Sequence, residues 1–136
     1  MKTPSIDQIR NNVLIVEDDA ATVSILNIWL RNKCQIYQAR DGDEALQIVH
    51  DLMKENQKID LFIFDISLPR PWTGITLKVE IIERWNLYKA HPFIAETAFA
   101  MPLDQEQIIR AGFIEYLTKP LDKSILVQTV EKYLNI

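Results

Sequence analysis

Short runs of consecutive apolar residues alternate along this chain with longer stretches in which apolar positions recur every three or four residues. The runs are VLIV (13–16), LFIF (61–64), PFIA (92–95) and IEYL (114–117), with QIYQA (35–39) a weaker fifth. Such runs read as strands covered on both faces. Between them, Ala45, Leu46, Val49, Leu52 and Met53 fall on one helical stripe within residues 41–53, and Asp41 precedes Glu44 at capping-box spacing. After Gly74, Ile75, Val79 and Ile82 repeat at helical spacing. After Asp122, an expected N-cap, so do Leu126, Val130, Tyr133 and Leu134. Helices over 20–32 and about 99–111 complete the set, the last stopped by Gly112 at the helix C′ position.

The resulting order of elements is (βα)5. It predicts an α/β protein with a flavodoxin-like, doubly wound, five-stranded parallel sheet, strand order 2-1-3-4-5, and helices on both faces. Sheets of this kind place their sites beyond the carboxyl ends of the strands. There the first strand runs into Glu17, Asp18 and Asp19, the third ends at Asp65, the fourth at Thr97 and the fifth at Lys119. Three carboxylates about 5 Å apart repel by about 3 kcal/mol per pair at an effective dielectric of about 20, so the pocket must bind a cation or take up protons. All-oxygen donors that leave room for waters favour Mg2+, the ion that commonly meets phosphoryl groups.

Composition narrows the picture by exclusion. The 136 residues suit one domain, and 48% hydrophobic with 25% charged residues is a globular balance. A formal net charge of −4 with scattered basic residues disfavours direct nucleic acid binding. Cys34 is the only cysteine, which excludes an internal disulfide and a cysteine-rich zinc site; a buried, inert thiol is expected. The N-terminal MKTPSIDQIRNN lacks a signal-peptide core, and no apolar run approaches a membrane span, so a cytoplasmic protein is expected.

The motifs VLIVEDD, DLFIFDISLP, ETA and YLTKP, in that order, resemble the receiver domain of two-component response regulators over residues 12–134. The resemblance implies an N-terminal extension at 1–11, a receiver domain over 12–136 and no output domain. It implies that Asp65 accepts a phosphoryl group from a histidine kinase or histidine phosphotransfer protein. It implies that the domain catalyses its own phosphorylation and autodephosphorylation rather than acting as a conventional enzyme. Asp18 matches the direct Mg2+ ligand, Glu17 the partner acting through water, and the Ser67 carbonyl a further ligand beside Asp65. Thr97 and Lys119 match the groups that meet phosphoryl oxygens, Pro120 the family's cis-proline, and Thr97 with Tyr116 the switch pair. The resemblance also implies output to a downstream effector protein or along a phosphorelay, with a phosphorylation-dependent homodimer as a further expected partner. Asp19, one position beyond the acidic pair, reads as the N-cap of the first helix.

One stretch departs from the family. Gly74 lies nine positions after Asp65, one more than usual, through ISLPRPWTG. Pro69 and Pro71 on either side of Arg70 predict an extended segment. Arg70 and Trp72 border the site as candidates for shaping partner choice or phosphoryl lifetime, against the plain alternative that Trp72 packs on the domain. His50, His91, Trp29 and Trp85 read as surface or packing residues. A flavodoxin-like cofactor binder would need a glycine-rich or hydroxyl-rich phosphate loop where EDDAAT stands. A haloacid-dehalogenase-type phosphatase would need an aspartate where Ser67 stands. The remaining rival is a phosphorylation-independent, receiver-like protein interaction module.

Overall fold

The computed structural model describes residues 10–98 and 102–136. The elements run β1 (Asn12–Val16), α1 (Ala20–Leu30), β2 (Gln35–Ala39), α2 (Gly42–Lys54), β3 (Leu61–Asp65), α3 (Gly74–Arg84), a 3-10 turn (Asn86–Ala90), β4 (Phe93–Thr97), α4 (Pro102–Arg110), β5 (Glu115–Thr118) and α5 (Lys123–Leu134). All four strand pairings are parallel, in the order β2-β1-β3-β4-β5. The predicted architecture is therefore the observed one. The expected 1–11 extension falls almost wholly outside the described residues, as does the predicted start of the fourth helix at 99.

Strand alternation divides the core in two. Leu14, Val16, Phe62, Phe64, Phe93 and Ala95 pack on one face of the sheet against α2, α3 and Ile108 of α4. Val13, Ile15, Leu61, Ile63, Ile94 and Leu117 pack on the other, against Leu26 and Leu30 of α1 and Leu126, Val130 and Leu134 of α5. Each Val, Leu, Ile or Phe among them, fully removed from water, contributes about 1.5–3 kcal/mol. On the aromatic face Phe62 stacks on Phe93 with centroids 4.1 Å apart, and Tyr88 meets Phe62 edge-on at 5.0 Å. Tyr88 belongs to the 3-10 turn, too short to leave a periodic signal; its hydroxyl accepts from Ile59 N at 3.0 Å.

The caps follow local chemistry. Asp19, Asp41 and Asp122 each accept a backbone N–H from the first turn of α1, α2 and α5. The Asp41 box closes one residue early, because the Glu44 carboxylate takes the N–H of Arg40 rather than that of Asp41. A reciprocal box does form at α3, between Thr73 and Thr76. Gly112, at φ +91°, ends α4 in the left-handed region.

Two expectations are corrected. The apolar stripe predicted for α3 included Val79, which is 48% exposed; Leu77 and Ile81 face the core instead, with Ile75 and Ile82 at its margin. Three periodic residues define a face only to within one helical position, and the aromatic sheet surface selects the neighbouring stripe. The Pro69–Pro71 segment is a bend and turn rather than an extended run, and its Arg70–Pro71 peptide is cis.

Candidate functional site

The same alternation that sorts the core assembles the site. In β1 and β3 the odd-numbered residues face α1 and α5, and Glu17 and Asp65 continue those rows at the carboxyl ends. Leu117 belongs to that face in β5, and Lys119 follows it two residues later. Apolar rows therefore deliver two acids and a base to one spot, with no loop needed to aim them.

Lys119 closes the cluster. Its Nζ donates to both Glu17 oxygens at 3.1 Å and to Asp65 Oδ2 at 2.9 Å. Burial alone would depress this ammonium, but the hydrogen bonds to Asp65 and Glu17 outweigh it and hold its proton well above the ordinary range. Glu17 is fully buried, and that burial, reinforced by Asp65 and opposed by Lys119, pushes its carboxyl up to about 7. Asp65 is 5% exposed, and its other oxygen, Oδ1, accepts the backbone N–H of Ser67 at 2.8 Å. Asp18 stands in solvent at the rim. Glu17, Asp18 and Asp65 each offer one oxygen within 4.8 Å of the others. An all-carboxylate set, one member exposed and two buried, fits a hard divalent cation that keeps part of its water shell.

The remaining expected residues lie around this centre. Thr97 is buried at the end of β4, next in the strand after the residue paired with Asp65, and its carbonyl accepts the N–H of Lys119 at 2.8 Å. The Lys119–Pro120 peptide is cis. Tyr116 is half-buried in β5 and packs against the aromatic core. Asp19 is separate from the acidic pair: its carboxylate caps α1, and the Thr22 hydroxyl and N–H hold it below the usual carboxylate range. Arg70 is exposed. Trp72 lies across the first residue of α2, donating Nε1–H to Asp43 at 3.0 Å, so close to Gly42 that a Cβ there would overlap the indole ring.

Two buried ionisable residues escaped the sequence reading, one at this site and one on the other face of the sheet. Glu96, inside the ETA motif, is fully buried on the Asp65 side of β4, and burial followed by the charge of Glu17 pushes its carboxyl well above the usual range. An acid interrupting an otherwise apolar strand was the available signal. Lys78 of α3 is buried with its Nζ 5.0 Å from the centroid of Phe93 and 5.9 Å from that of Phe113. Only tertiary packing brings those rings to it.

A doubly wound sheet with paired acids, an aspartate and a lysine at the carboxyl ends of its strands defines the class of signal-receiving domains. The chain belongs to the response regulator receiver domain family of two-component signalling, whose model matches residues 13–131. It is 32% identical over 124 residues to the polar-differentiation response regulator DivK of Brucella anthropi, a match covering 90% of this chain and 95% of DivK. It is 29% identical to hybrid signal transduction histidine kinase I of Dictyostelium discoideum over 90% of this chain, which spans 7% of that protein's length. Among solved structures, a two-component response regulator from Clostridium difficile superposes with a TM-score of 0.77 at 25% identity, covering 93% of this chain and 97% of that one. The Vibrio cholerae chemotaxis protein CheY4 shares the fold, with a TM-score of 0.78 at 22% identity over 92% of this chain and 99% of that one. Among the described residues no helix is long and apolar enough to cross a membrane.

Proposed function

We propose that this receiver domain takes a phosphoryl group onto Asp65 from a histidine kinase or histidine phosphotransfer protein and passes the signal to a protein partner. The observation that carries the reading is the bridge from Lys119 Nζ to Asp65 Oδ2 at 2.9 Å in a largely buried pocket. A carboxylate oxygen of Asp65 attacks the phosphorus, a P–O bond forms, and the phosphorus–nitrogen bond to the donor imidazole breaks. The ammonium of Lys119 is already beside the attacking group and meets charge on the transferring oxygens without reorganisation. Thr97 donates its hydroxyl to another of those oxygens, and the Ser67 N–H steadies the carboxylate. Glu17, Asp18, Asp65 and the Ser67 carbonyl are the groups that would hold Mg2+, which supplies positive charge to the phosphoryl oxygens when bound. Thr97 and Tyr116 form the switch that reports the phosphorylated state to the surface of α4, β5 and α5.

The test is labelling of the purified chain by acetyl phosphate with magnesium. The expected product is one hydroxylamine-labile phosphoryl group, absent in Asp65→Asn, whose circular dichroism matches that of the parent. Failure of the parent to label would leave the phosphorylation-independent interaction module as the better reading.

A further inference from the structure

Glu96 is an acidic residue beside the site for which the reading above has no task. It pairs in register with Asp65 on the neighbouring strand, it is fully buried, and no N–H or hydroxyl group among the described residues donates to either of its oxygens, so that its one hydrogen-bonding neighbour is another acid, Glu17. A buried carboxyl group whose one polar neighbour is a second acid is costly, and the residue two positions earlier on the same face, Ile94, is apolar. A polar group that breaks the packing rule at the edge of a functional pocket invites the question of which state of the molecule uses it.

The donors of Lys119 point to that state. An ammonium has three N–H groups, and here two are spent on Glu17 and one on Asp65. Lys119 is also the cation whose charge acts on Glu96. A divalent cation held by Glu17, Asp18 and Asp65 would draw on carboxylates that Lys119 already bonds, through both oxygens of Glu17 and Oδ2 of Asp65. The ammonium then needs a new acceptor, or it swings out to water and leaves the phosphoacceptor.

We propose that Glu96 is a positioning residue that takes over the Lys119 ammonium when a divalent cation engages Glu17 and Asp65, keeping Nζ beside the phosphoacceptor. The inference rests on the cation-assisted reading above. It requires an oxygen acceptor at this position and not a negative charge, so glutamine suffices whereas valine or leucine does not.

The measurement is a magnesium titration without phosphodonor, followed by calorimetry and thermal shift, on the parent, Glu96→Gln, Glu96→Val and Glu96→Leu. Loss of one hydrogen bond from a charged donor weakens binding about ten-fold in the two apolar variants, while the glutamine variant stays within about two-fold of the parent. At saturating magnesium, labelling by acetyl phosphate slows in the apolar variants and is restored in the glutamine one. Apolar variants that bind magnesium as tightly as the parent would overturn the role, and so would a glutamine variant weakened as much as the apolar ones, since charge alone would then explain the loss. A parent that binds no magnesium removes the cation site itself and this role with it, whereas a parent that binds magnesium beside unaffected variants removes this role alone.

Discussion

At the scale of single residues, burial sets the chemistry of each titratable group, and its neighbours set the direction. Cys34 illustrates burial that outweighs opposing charge, since Arg10 and Lys33 both favour its thiolate. Its Sγ sits 3.6 Å from the Leu30 carbonyl at 2% exposure, and burial pushes the thiol from 9.0 up to about 11. The folded protein should therefore resist Ellman's reagent at pH 8 and release one equivalent of reactive thiol when denatured. The same shift predicts a pH dependence. Because the folded pKa is the higher one, the contribution of Cys34 to stability is complete below pH 9 and is lost as pH rises toward about 11. Denaturation over that window should show a steeper loss for the parent than for Cys34→Ala. Glu96 is the opposite case, a polar group kept where an apolar one would pack. Without divalent cations, Glu96→Val should raise stability by about 1–3 kcal/mol in urea denaturation.

At the scale of elements, the longer loop after β3 is tied down rather than loose. The Trp72 indole covers Gly42 and bonds to Asp43, so the loop beside Asp65 is anchored to the start of α2. Gly42→Ala should cost about 1–3 kcal/mol by displacing the ring. Trp72→Ala should cost a similar amount through lost packing on a half-buried surface, about 1–3 kcal/mol. In the Trp72→Ala background the obstruction is gone, and alanine outranks glycine in a helix by about 1 kcal/mol, so Gly42→Ala should become neutral or favourable. A double-mutant cycle by denaturation measures this coupling; additive losses would mean that indole and helix do not constrain each other.

At the scale of the whole molecule, the sheet separates two apolar cores and carries one polar cluster at its carboxyl edge. Ligand binding there is linked to the stability of the whole fold. Magnesium at about 100 times its dissociation constant should stabilise the chain by about 2.7 kcal/mol, read as a higher Tm. The gain should shrink in Asp18→Asn, which keeps the shape of the exposed rim group and removes its charge. Equal gains in the two proteins would place the cation elsewhere.

The apolar pattern by itself determined the five strands and the five helices between them, because apolar runs and helical periods are local properties of the chain; the strand order, and with it the convergence of Glu17, Asp65, Thr97 and Lys119, followed from the fold class that this order of elements implies. Asp19 was legible as a cap for the same reason: a side-chain oxygen and an N–H three residues on need no distant partner. What tertiary structure decided are relations between segments far apart in sequence. The face of α3 was settled by the aromatic sheet surface it meets, which left Val79 in water and drew Leu77 and Lys78 inward. The anchoring of Trp72 depends on the missing side chain of Gly42, 30 positions earlier in the chain. Above all, an acid in an apolar strand acquires a role only when neighbouring strands supply its surroundings. Glu96 reads as an interruption of β4 until Asp65, Glu17 and Lys119 close around it, since charge interactions follow distance in space and not separation along the chain.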